Sequence, residues 1–551
     1  MDKFLITAKE TAPLLVLMVF YITLAFFNLG NRESPQTAWT GSDSVIFDFG
    51  EARHFSRFQF MAGARHDVDF MLFASEDGND WHFSLHVQGF DVFAWSERQM
   101  DTVAKYVQIV PFGPGLRLQE AAFRDQHDNL MTPVHLFTPE SYVLFDEQEL
   151  VPLSRSFMNS FYFDEIFHAR TGYELLHGLP VYETTHPPMG KNFIALSVSV
   201  FGMTPFGWRF PGTAAGILMI PLIYIFGRMI FRSAFWGMFA AFIFTFDFMP
   251  FVQTRIATID SYITLFVIAS YLCMYAYIKN NETLWKALLL LFGCGLFIGL
   301  AIASKWQGVY AAIGLPFVFF PVLLSVYQRN KREAWITFGS CFAFFIAIPV
   351  MIYLLSYIPF VRASAADTGF LSTVIANQQH MFSYHAELLE GHTFSSRWWE
   401  WLLITRPIFY YSNTISPDVR QGISAFGNPA VWWMGIFAAI YAVSALFDKK
   451  QSEDQTIVFL LIAYAAQFLP WVFVYRATFI YHYFPSVPFV VLLITFFFKN
   501  YVSPKYPRAV WGYGAVVLGL FILFFPVLSG APVSVHFVQT FLRWFPAWVL
   551  V

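Results

Sequence analysis

Apolar runs about twenty residues long recur from residue 210 almost to the end of the chain, most of them separated by short polar breaks. A helix of about 20 residues crosses the roughly 30 Å hydrocarbon layer of a bilayer, so runs of this length predict membrane spans. They fall near 210–230, 234–252, 258–278, 286–304, 308–327, 334–358, 430–447, 455–474, 479–498 and 509–529, with one more at 11–29. Between the first span and the others the period changes. Residues 38–150 are polar, alternate with period two, and hold no run long enough to cross a bilayer. VIFDFG (45–50), RFQFMAG (57–63), DVDFMLFAS (67–75), KYVQIVPF (105–112) and LRLQEAAFRD (116–125) read as strands. Glu76-Asp77-Gly78-Asn79 and His127-Asp128-Asn129 supply turn chemistry. The pattern predicts a polytopic α-helical membrane protein with about 11 transmembrane helices. An all-β sandwich of roughly 110 residues is inserted in its first outer loop.

Composition agrees. The chain is 57% hydrophobic and 13% charged, with a mean hydropathy of +0.51, where a soluble domain carries roughly 25% charged residues. A net charge of −3 gives no argument for a nucleic-acid partner. Cys273, Cys294 and Cys341 lie in apolar runs without metal-ligand spacing. The run at 11–27 follows Lys3 and Lys9 as a signal peptide would, but no small-x-small cleavage site follows it, which predicts an uncleaved first span.

Loop charge orients the spans. Lys and Arg gather in the short loops 228–232, 279–286, 328–332, 449–450 and 499–508, together with Lys3 and Lys9, and these are expected on the cytoplasmic side. The run NFIALSVSVFGM after Lys191 holds only about a dozen apolar residues and reads as interfacial or re-entrant. Counting it as a span would also put the basic 228–232 loop outside. The expected topology therefore has an inside N-terminus and an outside C-terminus. It sends the remaining polar clusters to the outer face, which suggests one outward-facing active site.

The richest cluster is FYFDEIFHARTGYELLHGLPVYETTHPPMGK (161–191), with Asp164, Glu165, His168, Arg170, His177, His186 and Lys191. Adjacent acids on a helix point different ways, so one can meet a reacting group while the other orients or coordinates; the bland alternative is a solvated helix start. Six cations, Lys191, Arg209, Arg255, Lys305, Arg406 and Arg476, sit at or near outer helix ends. One or two would be interfacial anchors, but six facing two acids suit the phosphate of a lipid. Together with a possible sugar-binding role for the β-domain, the combination suggests transfer of a sugar from a polyprenyl-phosphate donor. A carboxylate deprotonates an acceptor hydroxyl, cations stabilise the departing phosphate, and the anomeric centre inverts.

A resemblance sharpens this. YFDEIFHA (162–169), THPPMGK (185–191), WRFPG (208–212), QTRIATIDSY (253–262) and GLAIASKWQG (299–308) resemble the protein O-mannosyltransferase family of GT-C glycosyltransferases, in its bacterial branch. YHAELLEGHTFSSRWWEWLLITRPIFYY (384–411), GNPAVWW (427–433) and RATFIYHYFPSVPF (476–489) extend the match in family order. The resemblance implies two juxtamembrane helices in the first outer loop, a prenyl-phosphate sugar donor, and Ser/Thr hydroxyls of a translocated protein as acceptor. It implies Asp164 as base and Glu165 as its partner. It places Lys191, Arg209 and Arg255 toward the donor phosphate with His186 nearby, and adds Arg476 and His482 to the donor set. His482 has the alternative of a satisfied polar group in the bundle. Asp260 would orient one of the cations, Lys305 among them. His385, His392, Trp398, Trp399 and Arg406 would cover donor or acceptor, with interfacial anchoring as the alternative for the tryptophans.

Residues 38–150 resemble a discoidin or galactose-binding-like domain through "DFGE", "FASEDGNDW", "AKYVQI" and "LQEAAFRDQHDN". That resemblance implies a sugar-binding module, the alternative being a spacer. The insertion departs from the simplest family pattern, and the 361–429 loop is too short for the trefoil domain of eukaryotic members. The expected parts are a first transmembrane helix (1–30), the β-domain (38–150), a catalytic outer loop (155–208) and the transmembrane core (209–551). Some members of this fold class use a divalent cation; the sequence has no metal motif of its own and leaves the metal open. The expected setting is the plasma membrane, with the active site extracytoplasmic. Two other readings are transfer to a cell-surface lipid or wall polymer, and a transporter with a glycan-binding ectodomain. The second lacks the internal repeat and midplane polar groups of transporters.

Overall fold

The computed structural model describes residues 8–63, 68–89, 91–112, 115–364, 369–387, 391–447 and 455–551. Lys3 and the basic pair Lys449-Lys450 lie outside the described residues. The chain forms two compact units, one of residues 29–176 and 194–208, the other of residues 1–28, 177–193 and 209–551.

The first unit is built on a sheet of eight strands: β1 (Trp39–Gly41), β2 (Val45–Ala62), β3 (Val68–Ser75), β4 (His82–Gly89), β5 (Trp95–Pro111), β6 (Leu116–Arg124), β7 (Leu130–Met131) and β8 (His135–Leu136). The order is β1-β6-β2-β5-β3-β4, with β7 on β6 and β8 on β2, and every pairing is antiparallel. The expected sandwich is made from one continuous sheet rather than two separate ones, and two ring positions show how. Phe60 lies opposite Ser96 near one end of β5 and Phe70 opposite Pro111 at the other. A straight strand would put those positions roughly 50 Å apart at 3.3 Å per residue. Their rings are 5.4 Å apart, so the sheet folds back on itself and encloses a core of Phe47, Phe49, Phe55, Phe58, Phe70 and Phe123 with their neighbours.

The two strands expected at 45–50 and 57–63 are halves of β2. The polar interval Gly50–Ala52 is exposed and interrupts the pairing with β5 between Asp48 and Arg53. A second register shift between Phe55 and Arg57 changes which parity faces inward, from Phe47, Phe49 and Phe55 to Phe58 and Phe60. An extra residue in one strand has that effect because side chains alternate with period two. The edge strand β4 has no clean alternation of buried and exposed positions, and the sequence reading missed it. Helix α2 (Glu165–His177) and the second half of α3 (Met189–Phe201) complete this unit.

The second unit is helical. It contains α1 (Ala8–Phe26), α4 (Pro205–Phe231), α5 (Ala234–Thr245), α6 (Phe248–Gln253), α7 (Asp260–Lys279), α8 (Leu284–Ser304) and α9 (Gly308–Arg329). A long run follows, made of α10 (Lys331–Phe342), α11 (Ile348–Ser356) and α12 (Ile358–Ala363). The expected outer loop then holds α13 (Phe370–Glu387), α14 (Trp398–Leu403) and the hairpin β9 (Ile408–Ser416) with β10 (Val419–Ala425). The chain ends with α15 (Pro429–Ala445), α16 (Gln455–Phe468), α17 (Val487–Phe497), α18 (Pro507–Ser529) and β11 (Val533–Ser534), which pairs with β10.

Eight helical runs among the described residues are long and apolar enough to cross a membrane. Three further expected spans correspond to α1, α5 and α15, which are shorter, and α3 is short as its sequence predicted. The expected span at 234–252 is broken: α5 stops at Thr245 and α6 restarts at Phe248. Asp247 makes the break. Its carboxylate accepts from the Phe248 amide (2.9 Å), the Asn428 amide (2.6 Å) and the Trp432 indole (3.0 Å), tying the break to the start of α15. The sequence reading passed over this lone acid in an apolar run, the signal that could have predicted the break.

Candidate active site

The Asp-Glu pair lies at the start of α2. Phe163 takes a left-handed φ of 50°, which turns the chain so that Glu165 is the first helical residue. The Tyr162 amide donates to Glu165 Oε2 (3.2 Å), while the Glu165 amide donates to the Tyr162 carbonyl (3.3 Å). Glu165 is wholly buried, and its carboxylate closes the first helical turn. Asp164, one residue outside the helix, is only half-buried. The two acids thus differ in setting, one buried and one more accessible. One turn on, Arg170 Nε donates to Glu174 at 2.7 Å, and Phe161 packs on Trp208 with ring centroids 4.3 Å apart.

Helix α2 ends at His177 because Gly178 adopts φ +64°, the left-handed conformation that glycine takes without steric cost. The loop that follows belongs to the helical unit. Pro187 and Pro188 hold it extended until α3 begins at Met189. Gly190 permits a close approach, since a Cβ there would lie 2.6 Å from Ile259 Cγ2.

Lys191 sits at the centre of this loop, fully buried. Its ammonium donates to the Glu183 carboxylate, to the Glu183 carbonyl (3.0 Å) and to the His186 carbonyl (2.9 Å). Three donors thus meet three acceptors inside the loop, and Glu183, absent from the sequence reading, is the partner that holds them. Its place three residues before His186 in YETTHPPMGK was the available signal. Glu183 Oε1 also accepts from the Thr185 amide (2.7 Å) and faces His186 Nδ1 at 3.2 Å.

Arg255 is likewise committed to the fold. Its Nε and Nη2 donate to the carbonyls of Ala25 (3.1 Å), Phe27 (2.5 Å) and Asn28 (3.1 Å) at the end of α1, and its guanidinium lies over Phe251. It caps the C-terminal end of a helix, where carbonyls lack partners and cations are favoured. Arg209 is fully buried in the first turns of α4. Arg406 donates to the carbonyls of Thr393 and Ser395 (both 3.2 Å) and ties down the outer loop.

The remaining cations meet in a pocket of about 270 Å³ lined by His186, Lys305, Trp306, Tyr310, His385 and Arg476, among others. Lys305 donates to Asp260 at 2.7 Å. The ammonium also lies 5.5 Å from the centre of the Tyr481 ring. Among the described residues the Arg476 guanidinium makes one long hydrogen bond, 3.4 Å, to the carbonyl of Ala477. His385 packs edge-on against His186 with centroids 5.3 Å apart, and its Nε2 donates to the Thr185 carbonyl at 2.9 Å.

Both histidines are held neutral. Burial pushes His385 down to about 4, helped by the charges of Arg476 and Lys305 and the neighbouring His186. Burial also lowers His186, against the opposing pull of Glu183. His385 Nδ1 is buried without a hydrogen-bond partner, so protonating it would leave a buried N–H unpaired. With the histidines neutral and Asp260 answering only Lys305, the pocket keeps a net positive charge from Arg476. It is built to take an anion.

His482 is buried, with Nδ1 on the Phe479 amide (3.0 Å) and its ring between Trp471 and Tyr481, each 4.6 Å away. This matches the satisfied-polar-group alternative. Three rings stack on it, Tyr481, Phe479 at 6.1 Å and Trp401 at 6.2 Å, and Trp401 follows the expected Trp398 and Trp399 on the same helix. Trp398 packs on Phe468, while Trp399 and His392 are exposed.

Two family models match the chain. "Dolichyl-phosphate-mannose-protein mannosyltransferase" covers residues 185–353, and "C-terminal four TMM region of protein-O-mannosyltransferase" covers 370–548. Among curated relatives, the polyprenol-phosphate-mannose–protein mannosyltransferase of Mycolicibacterium smegmatis is 25% identical over 458 residues, 70% of this chain and 87% of the relative. The Corynebacterium glutamicum protein of the same name is 26% identical over 474 residues, 74% of this chain and 88% of the relative. The Saccharomyces cerevisiae Pmt1-Pmt2 complex, solved bound to its sugar donor, shares the fold at a TM-score of 0.63 and 14% identity, covering 71% of this chain and 89% of that one. The pocket residues fall inside the two matched stretches, whereas Asp164 and Glu165 precede both.

Proposed function

We propose, from the premise that this chain belongs to the protein O-mannosyltransferase family, that it transfers mannose from a polyprenyl-phosphate donor to Ser or Thr hydroxyls of a protein. The observation that carries this reading is the anion pocket, where Arg476 and the Asp260-paired Lys305 face two neutral histidines. A donor phosphate bound there would be met by two fixed cations, which stabilise the negative charge that grows as the phosphate departs. Asp164 takes the proton of the acceptor hydroxyl. The hydroxyl oxygen bonds to the anomeric carbon as the carbon–phosphate-oxygen bond breaks, and polyprenyl phosphate leaves with the electron pair. A single displacement of this kind inverts the anomeric centre.

Glu165 holds the start of α2 and so sets where Asp164 stands. Lys191 acts as a positioning residue: with Glu183 it fixes the loop that carries His186. Arg209 completes the donor set, and a divalent cation is compatible with the family's chemistry. The setting proposed is the plasma membrane, with eleven spans, a cytoplasmic N-terminus and an extracytoplasmic active site. The test uses the purified full chain, polyprenyl-phosphate mannose and a Ser/Thr peptide, with product configuration read by NMR. Mannosyl peptide of inverted configuration is expected. Retained configuration, or full turnover by Asp164→Asn, would overturn the mechanism.

A further inference from the structure

The β-domain holds a second charged cluster, unrelated to the donor pocket in composition. Glu120 on β6, Asp146 and Glu147 bring one carboxylate oxygen each within 4.8 Å of one another. Around them are few donors. Thr37 Oγ1 reaches Asp146 (3.0 Å) and Glu147 (3.1 Å), and the amides of Gln36 (2.9 Å) and Thr37 (3.2 Å) donate to Glu147. Gln148 Nε2 donates to Glu120 Oε1. All of these are neutral.

Two buried oxygens are left over. Glu120 is completely buried, and its Oε2 has no hydrogen-bond partner; Gln148 Oε1 is buried and unpartnered as well. An ionised carboxylate in that position is costly without a counter-charge. The charges acting on Glu120 are those of Asp146 and Glu147, both negative, and only the Gln148 side chain and the Glu147 amide work the other way. Burial is the larger cause, and together they push the Glu120 carboxyl up to about 8.

We propose that Glu120, Asp146 and Glu147, with Gln148 Oε1, form a Ca2+ site that clasps the two ends of the β-domain. An all-oxygen donor set with no Cys or His selects a hard cation. Ca2+ takes six to eight oxygens at about 2.3–2.6 Å in irregular geometry, so two oxygens bound to one ion lie no more than about 5.2 Å apart, a limit that these carboxylates respect. Mg2+ demands stricter octahedral geometry and keeps more of its water. The placement gives the ion a job. Gln36 and Thr37 lie where the chain enters the domain, Asp146–Gln148 where it leaves, and Glu120 in the strand between them. A cation there closes the neck of the inserted domain.

The experiment uses the full chain in detergent, stripped with EDTA and dialysed against 45Ca2+ at pH 7.5. One Ca2+ per chain is expected. Asp146→Asn, an exposed change that leaves the core intact, should weaken binding by about tenfold or more, and Glu120→Gln should remove it. Hydrogen exchange in peptides covering 34–37 and 144–150 should slow when Ca2+ is added to the unsubstituted chain. No 45Ca2+ above a protein-free control would overturn the proposal. So would unchanged affinity in Asp146→Asn, which decides the matter even if Glu120→Gln fails to fold.

Discussion

The cationic pocket and the β-domain cluster are charge-imbalanced in opposite senses, and the comparison shows how to read a buried charge. In the pocket, Lys305 has Asp260, the histidines are neutral, and Arg476 keeps its charge with one weak carbonyl partner. In the β-domain, the donors that meet the three carboxylates among the described residues are neutral, and one buried oxygen has none there. Elsewhere the chain settles its charges internally: Lys191 with Glu183, Arg170 with Glu174, Arg255 with the carbonyls that end α1. Residue type does not separate these groups, since arginines and acids occur on both sides. The separation lies in whether local partners exhaust the charge.

The sharpest test of that distinction is within the Asp-Glu pair. Asp164→Asn should lower kcat by roughly 10²–10⁴, the contribution of a positioned base. Glu165→Gln keeps a carbonyl that can accept from the Tyr162 amide, and should cost far less in single-turnover transfer. Equal losses in the two variants would erase the difference drawn from their surroundings.

Next in size is Lys191. Replacing it with Ala leaves the buried Glu183 carboxylate without its cationic partner, which costs about 3–5 kcal/mol for a broken buried pair. The expected outcome is a sharp loss of folded, detergent-stable protein, partly restored by adding Glu183→Gln. A stable Lys191→Ala chain that has lost only donor affinity would return Lys191 to the phosphate site.

Arg476 and Arg255 form a crossed pair of smaller effects. Arg476→Ala should weaken donor binding tenfold to hundredfold, the equivalent of about 1.5–3 kcal/mol, at unchanged Tm. Arg255→Ala should lower Tm and leave donor affinity within about twofold, because a cap acts on stability. Titration of labelled donor against each variant, beside thermal melts, reads both.

Much of this was legible in the sequence. Hydropathy located the helical runs, the shortness of α3 followed from its dozen apolar residues, and period two announced the β-domain. The cations are visible as a class. What the sequence did not carry was allocation. Lys191 and Arg476 look alike as basic residues at outer helix ends; only the fold shows that loop 183–186 consumes one and not the other. Long-range partners were hidden for the same reason: Asp247 meets Asn428 and Trp432 across about 180 positions of chain. The length of β2 was hidden because a polar break in a bent strand looks like a loop.

The smallest effects test the comparison through pH, where the two clusters should slope in opposite directions. In the pocket, His385 is held at about 4, below the roughly 6.5 of an unfolded histidine. Between those values the open segment binds a proton that the closed one refuses, so local stability is present above about 6.5 and is lost as pH falls toward 4. Glu120 is the mirror case. Its carboxyl is raised to about 8 from roughly 4.3. In that window the folded domain holds a proton that the unfolded chain has released, so cation-free stability is fullest below about 4.3 and falls as pH rises toward 8. Hydrogen exchange corrected for its intrinsic pH dependence reads each locally in the EDTA-treated full chain. Peptides covering 183–187 and 376–387 should open more readily at pH 5 than at pH 7, and His385→Gln should flatten that slope. Peptides covering 116–124 and 144–150 should open more readily at pH 8 than at pH 6, and Ca2+ should flatten theirs. Slopes of the same sign in both regions would mean that one of the two charge assignments is wrong, and the variant or ion that fails to flatten its slope identifies which.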